Sequence, residues 1–343
     1  MENKVLEING RFYDFGTNNK SFLDVAESLK SIGIKNYYFM LEVKNPKVIG
    51  INPYDENITD DDIELVRDEV TKNMWYYLRE VCRIPNLENK YSQFIANRGN
   101  IAQAWCFKHG IDSWLDLPRA RYKTMSALAD QSWAYCFATT DTQFNFISSS
   151  SERAKINLAY MNKIICLLPN YLQYDYIDCN NKCVTQMKHP ITKNEIIVKG
   201  RATSHESAIA IGRSLTAPIQ YFDDFEFIPE IKTILNNSML GYVTALFNAR
   251  NKAKMYGRLM TSVVGNKDVE MILNETAPFN EFLYDHSQDE IDNYIADNSM
   301  NNIVYIEFSY KQLGLSDDWF NDISNKIDND DIIRREILLE RSR

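Results

Sequence analysis

No uninterrupted apolar run in the chain reaches the length of a membrane-spanning helix. Met1–Tyr13 is mixed and polar and does not read as a secretion signal, so an intracellular protein is expected. Disulfides are not the basis of the fold either. The six cysteines (Cys82, Cys106, Cys136, Cys166, Cys179, Cys183) in 343 residues make no framework, and four of them sit in apolar stretches as small core residues. The four histidines (His109, His189, His205, His286) include no i, i+4 pair, and no nucleophile–His–Asp set follows from their spacing. A zinc site on Cys179, Cys183 and His189 lacks its fourth ligand unless His205 or a distant cysteine folds in; a reduced hairpin pair of thiols is the simpler expectation. Positive charge is not in excess. The net charge of −9 argues against a protein that coats nucleic acid nonspecifically. Local basic patches stay open at Arg119/Arg121/Lys123 and at Arg250/Lys252/Lys254/Arg258, the latter equally a solvated helix end. No internal repeat or low-complexity segment is visible.

What is present is ordinary for a soluble globular protein: 45% hydrophobic and 25% charged residues, in a length that suits one large domain or two smaller ones. Residues 1–56 read as a small α/β lobe. A hairpin is expected within Lys4–Phe15 and an amphipathic helix over Ser21–Ile32, with Phe22, Val25, Ala26 and Leu29 on one face. Tyr37–Val43 and Lys47–Ile51 read as strands split by Asn45-Pro46. A helix begins at Thr59 and runs to about Arg83, where Pro85 closes it. A linker and a further helix, ending near Gly110, fill 86–110. From Ile111 strands alternate with helices: strands at Ser113–Leu117, Gln143–Ser148, Glu195–Val198, Pro218–Phe222, Arg258–Val264 and Asn302–Tyr310, and helices at Met125–Phe137, Glu152–Leu168, Pro229–Ala253 and Lys267–Asp285. Tyr171–Ile177 and Cys183–Met187 read as a hairpin. This alternation predicts a mainly parallel sheet with helices on both faces.

Three stretches carry chemistry. Leu117–Thr124, L-P-R-A-R-Y-K-T, follows a strand and opens a helix. There the helix-end N–H groups point at an anion, a lysine reaches outer phosphates and a threonine hydroxyl holds Mg²⁺. The usual G-x-x-x-x-G-K-[ST] pattern has glycine where this chain has Leu117 and Tyr122, so a surface Lys-Thr at a helix start stays open as an alternative. Ile219–Phe227 is an apolar strand ending in Asp223-Asp224: the first carboxylate suits a Mg²⁺ water shell and the second an attacking water, while helix capping is the plainer use. Met260–Asn266 is a strand ending in small polar residues and Gly265, either a phosphate sensor or a simple turn.

In this order and spacing the three resemble the ATPase half of the large terminase subunit of tailed phages, the motor that packages DNA into the capsid. Pro118–Thr124 resembles the terminase form of the phosphate loop. Gly212–Pro229, G-R-S-L-T-A-P-I-Q-Y-F-D-D-F-E-F-I-P, resembles its second motif, and Thr261–Gly265 the coupling motif. Asn73–Pro85 and Phe94–Trp105 resemble N-terminal parts of some members. The resemblance implies an α/β P-loop NTPase of the additional-strand type, with a mainly parallel central sheet flanked by helices and a small N-terminal α/β lobe. The implied division is a lobe and lead-in helix over 1–85 and an ATPase domain over 86–343, with no C-terminal nuclease domain in this chain.

The resemblance also implies site roles. ATP is held by Pro118, Arg119, Ala120, Arg121, Tyr122, Lys123 and Thr124, with Arg98 or Gln103 helping at the adenine or a phosphate. Thr124 holds Mg²⁺, and Asp223 holds it through water. Asp224 stands where the family has its catalytic glutamate, and Arg119 where it has an arginine finger in cis, with a packing or salt-bridge role as the alternative. Thr261, Ser262 and Gly265 couple hydrolysis to movement. The implied partners are double-stranded DNA, the portal protein and the small terminase subunit. A homo-oligomeric ring on the portal is expected, with a single copy able to stand as a monomer in solution, no membrane, and a place in the cytoplasm of the infected bacterial host. Two departures favour an alternative, a catalytically impaired terminase-like nucleotide-binding scaffold. Tyr122 replaces a glycine, and Asp224 is a methylene shorter than glutamate, about 1.5 Å less reach. Glu226 is a nearby carboxylate but is not substituted for Asp224. A P-loop ATPase of another line, such as a helicase, is the third reading.

Overall fold

The structure, a computed structural model, describes residues 5–85, 91–174, 185–265, 277–278 and 303–341. In the N-terminal part, strands β1 (Val5–Ile8) and β2 (Arg11–Asp14) form the expected hairpin. Asn9 and Gly10, at φ +52° and +74°, make the two-residue loop that matches strand twist. Helix α1 (Lys20–Ser31) buries Phe22, Val25, Ala26 and Leu29 as its periodicity requires. The two strands expected next are largely absent. Only Glu42–Val43, β3, pairs with β2, while Phe39–Leu41 and Pro46–Val48 are 3₁₀ turns. Phe39, Met40 and Leu41 are all buried, which an alternating strand with one solvated face does not allow. Asn45 Oδ1 accepts the Lys47 N–H and fixes the second turn.

The long helix expected from Thr59 does start there, with Thr59 Oγ1 accepting the Asp62 N–H, but α2 (Asp60–Lys72) stops at Asn73. The Asn73 side chain caps a new start, α3 (Met74–Tyr76), which continues as a π turn over Tyr77–Val81. Strands β4 (Arg83–Pro85) and β5 (Tyr91–Gln93) then form a short antiparallel pair.

The main sheet follows from α4 (Arg98–Lys108) onward. Its strands are β6 (Asp112–Asp116), β7 (Gln143–Ser148), β8 (Gln186–Lys188), β9 (Glu195–Val198), β10 (Ile219–Asp223), β11 (Gly257–Ser262), β12 (Ala277–Pro278) and β13 (Ile303–Glu307). Their order is β12-β13-β6-β11-β10-β7-β9-β8, parallel throughout except at β8. Helices α5 (Lys123–Trp133), α6 (Ser151–Cys166), α7 (His205–Arg213) and α8 (Ile231–Asn251) provide crossovers. One strand, β11, lies between β6 and β10, which is the additional-strand arrangement of P-loop NTPases.

The pleat explains how the sheet is covered. Leu115, Tyr221, Leu259 and Val304 face α4, α5 and α6, and their neighbours Trp114, Phe222, Met260 and Ile303 face α7 and α8. Buried side chains of residues 13–84 belong to the first of these clusters, so packing runs unbroken from the N-terminal part onto the sheet. At Gly212, a Cβ would meet the Ile234 carbonyl oxygen at 2.6 Å, so α7 and α8 need glycine to approach this closely.

Other expectations are corrected or fall outside the described residues. Asn170–Leu172 is a 3₁₀ turn, not the start of a strand. Residues 175–184, with Cys179 and Cys183, and the helix expected over 267–285 (apart from 277–278) lie outside the description. Cys82, Cys106 and Cys136 are free and buried, whereas Cys166 is disulfide-bonded, which its apolar helix gave no reason to expect. His189 uses Nδ1 to accept the N–H groups of Ile191 and Thr192 in a turn. No described helix is long and apolar enough to cross a membrane.

Arg258 does not join a surface patch with Arg250, Lys252 and Lys254. It is buried, with its Nε 2.7 Å from Asp112 Oδ2 and its own N–H donating to Asp112 Oδ1 at 2.8 Å. Its guanidinium lies over the Tyr242 ring. This pair ties β6 to β11 at the sheet edge opposite the strand-end motifs. Asp112→Ala leaves a buried cation unpaired and is expected to cost about 3–5 kcal/mol in urea unfolding. A cost below about 1 kcal/mol would show that the pair does not hold the two strands together.

Candidate active site

β6 ends at Asp116, and the chain turns through Leu117–Tyr122 before α5 begins at Lys123. Two residues of this turn are left-handed, Ala120 at φ +61° and Tyr122 at φ +63°. Neither is glycine, so each costs about 1 kcal/mol of local strain. The conformation that a glycine usually supplies is thus adopted by a tyrosine whose ring is 41% exposed. Tyr122 gives no side-chain cap, so the first N–H groups of α5 lack a side-chain partner where Lys123, Thr124 and Met125 line a cleft. Lys123 Nζ folds back to 3.5 Å from the Leu117 carbonyl oxygen. Burial pulls its pKa down, opposed by the charges of Asp116, Asp223 and Asp224.

The Thr124 hydroxyl donates to Asp223 Oδ1 at 2.9 Å, across the intervening β11. Asp223 is buried and accepts three further hydrogen bonds: Tyr221 OH at 3.0 Å, Thr261 Oγ1 at 3.2 Å, and Asn157 Nδ2 on its other oxygen at 2.8 Å. Mg²⁺ has octahedral bonds of about 2.0–2.1 Å, so neighbouring ligand oxygens stand about 3 Å apart. The Thr124–Asp223 spacing fits two such positions. Among the described residues no group of three or more His, Cys, Asp or Glu gathers to hold a metal.

Asp224, at φ +51°, turns its side chain into the same cleft. Ser149 Oγ is 3.5 Å away, and Arg153 Nε lies 3.6 Å from Asp223 and 3.7 Å from Asp224. Burial and the charge of Asp223 raise the Asp224 pKa, against Arg153 and Lys123. The cleft measures about 920 Å³ and is lined by Arg119–Met125, Ser149, Arg153, Asp224, Phe227, Val263 and Glu336. That volume suits a nucleotide-sized ligand. It opens where the C-terminal ends of parallel strands meet helix N-termini, the usual place for ligands in open α/β sheets.

Thus Lys123, Thr124, Asp223, Asp224 and Thr261 come together. Ser262 and Gly265 sit on the adjoining turn. Ser262 Oγ accepts the Glu226 N–H at 3.2 Å, and the Gly265 N–H donates to Glu226 Oε2 at 2.8 Å. A Cβ on Gly265 would meet Glu226 Cβ at 2.7 Å, so the position requires glycine. Glu226 does not face the cleft. Arg341 holds it at 2.7 and 2.9 Å and also reaches Asp116 at 3.0 Å.

Other expected residues are placed differently. Pro118 is buried at the base of the loop. Arg119 is ion-paired to the Glu336 carboxylate, and its N–H donates to the Glu336 carbonyl at 2.8 Å. The Arg121 guanidinium lies 4.7 Å over the Trp319 ring. The Arg98 guanidinium lies over Phe308, and buried Gln103 donates to the Met260 carbonyl at 2.9 Å; neither lines the cleft. The structure adds residues that the motifs did not point to: Asn157, Arg153, Tyr221, Glu336 and Arg341. Tyr221 was within reach of inference, because it is two positions before Asp223 on one strand and shares its face. The other four had no local signal.

No family model and no curated protein matches the chain. Among solved structures, it is similar to the large terminase of a thermophilic bacteriophage in complex with ATP-gamma-S, at 12% identity and a TM-score of 0.38, over 71% of this chain and 52% of that one. It is similar to the large terminase ATPase domain of Thermus phage P74-26, at 13% identity and a TM-score of 0.42, over 70% of this chain and 93% of that one. It is also similar to the large terminase of bacteriophage HK97, at 12% identity and a TM-score of 0.46, over 79% of this chain and 55% of that one. The chain spans about half the length of the first and third of these terminases.

Proposed function

We propose that the chain is an ATPase motor of the large-terminase kind, which couples ATP hydrolysis to movement of double-stranded DNA into a procapsid. The observation that carries the ATPase part is the Thr124–Asp223 hydrogen bond across β11. It joins a helix-start Lys-Thr pair to a strand-end carboxylate in a cleft of nucleotide size. Lys123 neutralises the outer phosphates, and the α5 N-terminus binds them through its N–H groups. Thr124 and Asp223 would hold Mg²⁺, which would supply positive charge to the phosphoryl oxygens. Asp224 orients the attacking water. Thr261 touches Asp223 and, through β11, connects the reaction to the Ser262–Gly265 turn. The packaging part rests on the motif resemblance. It brings with it duplex DNA, the portal protein, the small subunit and a ring of copies as proposed partners, and the cytoplasm of an infected bacterium as the place of action. Binding to DNA is then electrostatic and salt-sensitive.

A second reading, a nucleotide-binding scaffold with little turnover, is favoured by Asp224, whose short carboxylate is drawn toward Arg153. Phosphate release from ATP with Mg²⁺, with and without linear duplex DNA, separates the two. The motor reading expects release that DNA stimulates and that falls by at least about 100-fold in Lys123→Ala. Nucleotide binding without release, restored by Asp224→Glu, supports the scaffold. Absence of nucleotide binding removes both, and hydrolysis indifferent to DNA removes the translocase.

The loop geometry gives a further expectation. Ala120 is exposed and left-handed, so Ala120→Gly should stabilise the fold by up to about 1 kcal/mol in urea unfolding. A loss of stability of that size would mean that the left-handed turn is not the resting conformation of the loop.

A further inference from the structure

Three arginines line the cleft: Arg119, Arg121 and Arg153. Two are engaged elsewhere. Arg119 is held at side chain and backbone by Glu336, a residue of the terminal segment, and Arg121 stacks on Trp319. Arg153 differs in what it faces. Its backbone is fixed in the first turn of α6, where its N–H donates to Ser150 Oγ at 3.1 Å. Its side chain is 50% exposed and lines the cleft, with Nε 3.6 Å from Asp223 and 3.7 Å from Asp224. These distances mark charge attraction without a formed bidentate pair, so little ties the guanidinium in place.

We propose that Arg153, not Arg119, is the catalytic arginine that contacts the transferring phosphoryl group. This rests on the ATPase reading above and deepens it. The argument is one of charge. Asp224 on the cleft wall and the buried Asp223 behind it bring two negative charges close to Lys123 and Arg153. A divalent cation held at Thr124 and Asp223 would offset the charge of Asp223, leaving Arg153 beside Asp224 alone. The second anion within reach of this cleft-lining guanidinium would be the outer phosphate beside Lys123. A guanidinium is suited to the task, since its planar fork can bond two phosphoryl oxygens at once.

In the step itself, the water oxygen bonds to the γ-phosphorus, and the bond from that phosphorus to the bridging oxygen breaks with its electron pair on ADP. The water proton passes to the Asp224 carboxylate. Charge spreads over the three equatorial oxygens and the bridging oxygen, where a cation on the α6 side complements Lys123 on the α5 side.

The test compares the full-length chain with Arg153→Ala, Arg153→Lys and Arg119→Ala. Affinity for MgADP alone, and for MgADP with fluoroaluminate as a mimic of the transferring group, is measured by titration calorimetry alongside phosphate release. Arg153→Ala is expected to keep its MgADP affinity within about two-fold and its urea midpoint unchanged, because the side chain is half exposed. It should lose at least about ten-fold of the extra tightness that fluoroaluminate confers, and about 10³-fold in kcat with KM little altered. Arg153→Lys should recover part of both, through charge without the fork.

The inference is overturned if Arg153→Ala retains the fluoroaluminate increment, if it loses MgADP affinity in the same proportion, if the wild-type chain shows no increment, or if Arg119→Ala alone removes it. A wild-type chain that binds no MgADP sinks the ATPase reading instead. A wild type that binds and responds, with Arg153→Ala unchanged, sinks only the assignment of this arginine.

Discussion

A carboxylate buried at the end of a strand must find donors, and Asp223 finds four. They come from different parts of the chain: Tyr221 on its own strand, Thr261 on β11, Thr124 at the start of α5, and Asn157 on α6. An ionised carboxylate with any of these missing is costly to bury. The relative placement of the loop before α5, the strand β11 and the helix α6 is therefore set at one side chain.

A second set of charges fixes the outer rim. Asp116 at the end of β6 and Glu226 after β10 are both buried, and the charge of Glu226 adds to the cost of keeping Asp116 ionised. Burial and Glu226 raise the Asp116 pKa, and Arg341 opposes them. One arginine from the far end of the described chain thus bridges two strands that would otherwise repel at their tips. Glu336, five positions earlier, grips Arg119. The terminal segment consequently touches the loop before α5, the turn after β10 and, through Glu226 and the Gly265 N–H, the turn after β11.

This division explains what could be read from the sequence. Six strands of the sheet were legible because each is a short apolar run, whereas β12 (Ala277–Pro278) lies within a stretch read as helix; Lys123, Thr124, Asp223, Asp224 and Thr261 were legible because each sits near the end of such a run. Their chemistry is local: a strand end followed by a helix start. Arg341 lies 225 positions from Asp116, Glu336 lies 217 from Arg119, and Asn157 lies 66 from Asp223. No local pattern marks such pairs; they follow only from how the layers close. In the N-terminal part the misreadings have another cause. Phe39–Leu41 has strand-like composition, yet all three side chains find buried sites, and a tight turn satisfies them where a strand could not. Asn73 interrupts an otherwise continuous helical pattern by offering its side chain to two backbone N–H groups, a competition that hydrophobic periodicity does not register.

The loop without glycine is the clearest case of tertiary structure overriding local preference. Tyr122 has a side chain that disfavours φ +63°, and Ala120 offers no hydrogen bond to support φ +61°. Both conformations persist because the ends of the loop are pinned. Leu117 is buried under the sheet edge, Arg119 is bound to Glu336, and α5 is fixed by the Thr124–Asp223 bond. Strain of about 1 kcal/mol per residue is small beside the cost of releasing any of these anchors. A tyrosine at this position is therefore held in the conformation that glycine more often supplies, while it remains 41% exposed and lines the cleft.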